Sequence, residues 1–149
     1  MMTEYVVAGG IVAIVLIAWS VSRGIHREDE ARARKINEVF SGRESLTSDM
    51  FYDRYFRSKG IKPEIVDDIR RILQKQLNAD MSRLSDEDDF SKNLSFFWDF
   101  DSMADVELII AIEEHFKIKI TDKEAEQTNT ISDLVQLVSN KCALTTHKS

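Results

Sequence analysis

The chain has 149 residues and a formal net charge of -6, enough for one compact domain plus an appendage. Residues 1–61 carry nine basic and eight acidic groups and residues 62–149 eleven and eighteen, so the C-terminal part lacks the basic footprint of a nucleic-acid binder. It suits a basic protein partner or a merely solvated face. One proline, five glycines and no Asn-Gly or Asp-Gly pair predict an all-α fold. The single cysteine, Cys142, excludes an internal disulfide.

Residues 5–22 are an uncharged run of 18, mostly Val, Ile, Leu and Ala. As a helix it spans about 27 Å, close to the ~30 Å thickness of a bilayer's hydrocarbon. Basic residues follow the run instead of preceding it, unlike a cleaved signal peptide. Residues 1–23 are therefore expected to be a single uncleaved transmembrane anchor, touching membrane lipid through residues 5–22. A buried core helix is the alternative. Tyr5 and Trp19 suit the two interfaces, and Arg23, Arg27, Arg32, Arg34 and Lys35 place the rest of the chain in the cytoplasm by the positive-inside tendency. The expected location is the plasma (inner) membrane, single-pass.

Residues 24–46 read as a charged helical linker with a thin stripe of Ile36, Val39 and Phe40, broken near Gly42. Residues 47–60 read as an additional amphipathic helix, capped by Thr47 or Ser48 and stopped at Gly60. Met50, Phe51, Tyr55 and Phe56 give it an aromatic face, and the helix is expected to pack on the outside of the bundle. Pro63 fits the first turn of the next helix, whose stripe is Ile65, Val66, Ile69, Ile72, Leu73 and Leu77. Residues 79–100 are expected to form a long loop anchored by Phe90 and Leu94. Its Asp86-Glu87-Asp88-Asp89 run is no EF-hand, since Ser91 and Phe97 stand where Gly and Glu are needed. No metal site is expected.

Residues 101–116 form the central helix, expected to start at Asp101-Ser102 with Ser102 as cap and Asp105 at the reciprocal position. Met103, Val106, Ile109, Ile110 and Phe116 recur at helical spacing and are expected to line one face. Thr121 with Glu124, and Thr130 with Asp133, have capping-box spacing. They would open a short helix over 122–127 and a closing helix presenting Ile131, Leu134, Val135 and Val138. Residues 143–149 are expected to be a flexible tail.

Asp101-Ser102-Met103, Val106-Glu107-Leu108, the Glu113-Glu114 pair with Phe116, and the 120–126 segment together resemble acyl carrier proteins, over residues 61–142. The resemblance implies an acyl-carrier-like four-helix bundle, preceded here by a single transmembrane helix and a helical connector. It implies a 4'-phosphopantetheine arm attached to Ser102, taken from coenzyme A by a phosphopantetheinyl transferase. Acyl groups held on that arm as thioesters would be presented to acyltransferases or synthases with basic docking surfaces. Asp101, Met103, Asp105, Glu107, Ile110, Glu113 and Glu114 map onto the positions that dock such partners. Met103 replaces the family's usual leucine, a volume-conserving swap. Phe96-Phe97-Trp98-Asp99-Phe100 stands where the family has a small residue, as extra core or as a hydrophobic surface for a partner. Thr128 replaces a typical apolar residue.

A serine nucleophile needs a nearby base, and none of His26, His115 and His147 is close to Ser102 in sequence. The expectation is thus a membrane-tethered acyl carrier and not an enzyme. The tether would raise its local concentration near membrane-bound partners. The rival is an unmodified carrier-like module that docks partners through its acidic helix and aromatic cluster. A stand-alone membrane enzyme would need a nucleophile–base or metal-ligand cluster, which the sequence does not supply.

Overall fold

A computed structural model of the chain describes residues 2–146, apart from the side chains of residues 2–13, 19 and 23–26. The chain divides into two compact units, Met1–Ile36 and Asn37–Ser149. Helix α1, Met2–Val39, covers the stretch expected as anchor from Met2 on and continues into the expected linker, ending at Val39. Ile14, Val15, Leu16, Ile17 and Val21 on it are all exposed. Among the described residues no helix is long and apolar enough to cross a membrane, so the expected anchor is not shown. Residues 5–13 and Trp19 of that run lie outside the described side chains.

The second unit is all helical. Helix α2, Ser48–Tyr55, starts at Thr47, whose hydroxyl accepts from the Met50 amide; a 3-10 turn, Arg57–Lys59, follows, and Gly60 closes it at φ 67°. That left-handed conformation is one glycine adopts without steric cost. Helix α3, Pro63–Gln76, buries Ile65, Val66, Ile69 and Leu73. After a long irregular stretch come α4, Phe96–Phe100, α5, Ala104–Phe116, α6, Asp122–Gln127, and α7, Ile131–Thr146. Helix α3 packs against α2, α5 and α7, and α4 against α5. Helix α7 thus extends past residue 143, where a tail was expected.

The aromatic face of α2 is turned inward: Phe51 and Phe56 are 1% and 0% exposed, and the Arg70 guanidinium lies 4.7 Å above the Phe51 ring. Phe40 and Leu46 join them in the core. The aromatic run at 96–100 is a short helix and not loop. Phe96 and Phe97 are buried with ring centroids 4.2 Å apart, while Phe100 is 37% exposed. The cluster therefore serves as core at one end and as surface at the other.

Candidate functional site

Ser102 is exposed on the turn between α4 and α5, and the helix does not begin where its spacing suggested. The N-cap position of α5 is Met103, with no side-chain cap bond, and Asp101 instead ends α4 and fastens the turn. Its amide donates to the Phe97 carbonyl (3.2 Å) and its carbonyl accepts from Ala104 N (3.2 Å). Its Oδ1 accepts from Met103 N at 3.0 Å, the local bond by which an aspartate holds a turn. Asp105 Oδ1 accepts from Val106 N (2.8 Å) and closes no box with Ser102. The Ser102 hydroxyl makes no hydrogen bond among the described residues. It is free to carry a substituent, and its exposure gives a large enzyme access.

The apolar stripe expected on α5 is not the face that packs inward. Ala104, Leu108 and Ile112, four residues apart, are buried; Met103, Val106 and Ile110 are 54%, 45% and 46% exposed. Apolar residues cover more than one side of this helix, so periodicity alone admits two solutions. The small Ala104 selects the register that brings α5 close to its neighbours. The remaining stripe, next to Ser102, is an apolar surface flanked by the exposed acids Asp101, Asp105, Glu107 and Glu114. Glu113 is turned elsewhere: its Oε1 accepts from Ile120 N (2.7 Å) and its Oε2 faces Lys119 at 3.5 Å, holding the chain after α5.

Alongside the stripe a groove of about 660 Å³ runs between α5, α6 and the 90–98 segment. Phe90, Trp98, Val106, Ile109, Ile120 and Ala125 give it apolar walls, and Asp105, Asp122 and Glu126 stand among its other lining residues. Trp98 is fixed there by its indole N–H, which donates to the Phe90 carbonyl at 3.0 Å. The sequence showed an aromatic run but gave no sign that it faces α6. A second depression, about 770 Å³, is lined by charged and polar residues including Asp68, Arg71 and His115.

Among the described residues none is placed to serve Ser102 as a base. His115 lies at the far end of α5, about 17 Å along the axis from its start, with Nε2 2.8 Å from Asp68 Oδ2. Among the described residues no cluster of three or more His, Cys, Asp or Glu could hold a metal. The acids at 86–89 are occupied otherwise: Asp86 by Lys59, Asp88 by Arg43 and Asp89 by Lys92. The exposed hydroxyl and the adjoining groove fit a long, flexible arm bearing an apolar cargo.

Comparison with known proteins agrees with this geometry. The family described as "Phosphopantetheine attachment site" matches residues 67–138. The chain is similar to an acyl carrier protein of Thermosynechococcus vestitus, 36% identical over 80 residues, which are 54% of this chain and 94% of that one. It is 38% identical over 74 residues to one from Wolinella succinogenes, covering 50% and 92% of the two chains. Against one from Helicobacter pylori it is 38% identical over 80 residues, covering 53% and 97%.

Proposed function

Because this chain belongs to the acyl carrier protein family, a group of carriers and not catalysts, we propose that Ser102 is the residue to which its 4'-phosphopantetheine is attached and that it works tethered to a membrane. The arm supplies a terminal thiol on which an acyl group is held as a thioester. The observation that carries the site is the free, exposed Ser102 hydroxyl on a turn fastened by Asp101. With no base beside it among the described residues, Ser102 loses its proton to the transferase, whose approach the chain guides. Met103, Val106 and Ile110 offer the apolar contact, and Asp101, Asp105, Glu107 and Glu114 attract a basic rim and set its orientation. The groove walled by Phe90, Trp98 and Ile109 then shields the apolar part of the cargo from water.

The tether reading rests on the uncharged run at 5–22 within one continuous helix. Four consecutive residues, Ile14 to Ile17, are each more than half exposed. At 3.6 residues per turn these four cover the whole circumference, so every side of that short stretch is apolar and exposed among the described residues. The basic residues after the run favour a cytoplasmic carrier domain, the compartment that holds coenzyme A.

Intact mass spectrometry of the protein from its native membrane, beside Ser102→Ala, tests the site. A phosphopantetheine-sized increment absent from the variant is expected, and further mass on the arm identifies the cargo. A bare mass that persists after incubation with coenzyme A, magnesium and the host's transferase would instead leave an unmodified docking module. Flotation with anionic lipid vesicles tests the tether: the full chain should float, and a chain lacking residues 1–23 should stay at the bottom. Equal behaviour of the two would sink it.

A further inference from the structure

We propose that Arg43 and Asp88 are positioning residues for Ser102, so that the segment after α1, outside the family-matched residues 67–138, helps present the serine for modification. The proposal rests on the reading of Ser102 as the attachment site.

Asp88 is 2% exposed, and a buried carboxylate is tolerated only when paired and hydrogen-bonded. Here all of its bonding capacity is used. Arg43 grips it as a fork, Nη1 to Oδ2 at 2.8 Å and Nη2 to Oδ1 at 2.9 Å. Ser85 N donates to Oδ2 (2.7 Å) and Asn93 Nδ2 to Oδ1 (2.7 Å). Bidentate pairs of this kind are strong and fix orientation. The arginine is itself held in place: its guanidinium lies 5.2 Å from the centre of the fully buried Phe40 ring.

A run of hydrogen bonds leads from the fork to Asp101, the residue before the serine. Asn93 Oδ1 accepts from Asp89 N (2.8 Å). The Asp89 carbonyl accepts from Leu94 N (3.0 Å), the Leu94 carbonyl from Phe97 N (3.1 Å), and the Phe97 carbonyl from Asp101 N (3.2 Å). The same loop is pinned on its other side, where Phe90 N donates to the Asn129 carbonyl (2.9 Å) and Ile131 N to that of Asp88 (3.0 Å). Helix α4 has only five residues, too few to hold itself in place as an isolated helix. The direction in which it delivers Asp101 and Ser102 therefore depends on the loop before it, and that loop is wrapped around one carboxylate.

The test uses the full chain, with coenzyme A, magnesium and the host's transferase, and follows arm attachment by intact mass. Amide hydrogen exchange of residues 96–104 and of α7 is measured in parallel. Arg43→Ala and Asn93→Ala are compared with wild type and with Arg54→Ala, which breaks an exposed pair with Glu44 and leaves the fork untouched. Arg43→Ala and Asn93→Ala should lower kcat/KM about tenfold or more, chiefly through kcat, as expected when a reacting atom is misplaced. Exchange should accelerate at 96–104 and not in α7. Should Arg43→Ala fail to fold, Asn93→Ala decides, because it leaves the fork intact. A folded Asn93→Ala modified at the wild-type rate overturns the proposal, and so does exchange that rises equally throughout the domain. If wild type itself accepts no arm, the attachment-site reading fails separately, and acceleration confined to 96–104 still establishes the positioning.

Discussion

Ile110 lies on the serine helix with 46% of its surface exposed, two turns from the start of α5. Replacing it by aspartate removes little packing, so Ile110→Asp should change folding stability by less than about 0.5 kcal/mol. At an interface, by contrast, one apolar anchor commonly accounts for more than about 1 kcal/mol. Arm attachment to Ile110→Asp should therefore slow by about tenfold in kcat/KM with an unchanged melting temperature. A normal rate would remove the stripe from the docking surface. Ala104 is the reverse case. At 4% exposed it has no room to grow, and Ala104→Leu should cost about 1–3 kcal/mol, read by thermal melting. The motif around Ser102 was legible because its residues are contiguous. Which side of α5 is buried was not, because that depends on Ala104 meeting partners remote in sequence.

Helix termini are where local sequence speaks most clearly. The boxes at Thr121/Glu124 and Thr130/Asp133 were readable because each closes within three residues. Both form: Thr121 N donates to Glu124 Oε2 (2.9 Å) and Glu124 N to Thr121 Oγ1 (3.3 Å), and Asp133 N donates to Thr130 Oγ1 (3.1 Å) while Thr130 N donates to Asp133 Oδ2 (2.9 Å). What spacing could not show is that Glu124 also receives Lys141 of α7 at 2.7 Å. The lysine beside it and the Thr121 amide hold the Glu124 carboxyl down from its ordinary 4.5 to about 2. A carboxylate with a depressed pKa stabilises the fold above its ordinary value and loses that contribution as pH falls through the depressed one. Wild type should thus melt above Glu124→Gln at neutral pH, with the gap narrowing between pH 4.5 and 2. A gap that stays constant over that window would mean the ion pair contributes nothing. Helix α4 and the burial of α2 escaped the sequence reading for the opposite reason. Both are set by contacts across the fold, such as the Arg70 guanidinium of α3 lying 4.7 Å from the Phe51 ring of α2.

At the scale of the whole molecule, the segment that resembles other carriers is not the whole of what folds with it. The compact unit begins at Asn37, thirty residues before the family match starts at 67. Within that interval Phe40, Leu46, Phe51 and Phe56 are each at most 4% exposed. Burying such a side chain is worth about 1.5–3 kcal/mol, so together they contribute about 6–12 kcal/mol. That is comparable with the roughly 5–15 kcal/mol net stability of an ordinary domain. Removing the interval also strips Arg43 from Asp88, leaving a buried carboxylate without its cation. A chain of residues 37–149 should therefore melt cooperatively, with sharp, dispersed amide resonances. A chain of residues 61–149 should show no cooperative transition at 25 °C or above and should take up the arm slowly. Equal melting temperatures for the two lengths would mean that the carrier core stands without the added helix and that the four buried side chains fill a surface dispensable to it. If residues 61–149 unfold as expected, residues 37–60 are part of this carrier's fold, and Ser102 is presented by a larger unit than the family match outlines.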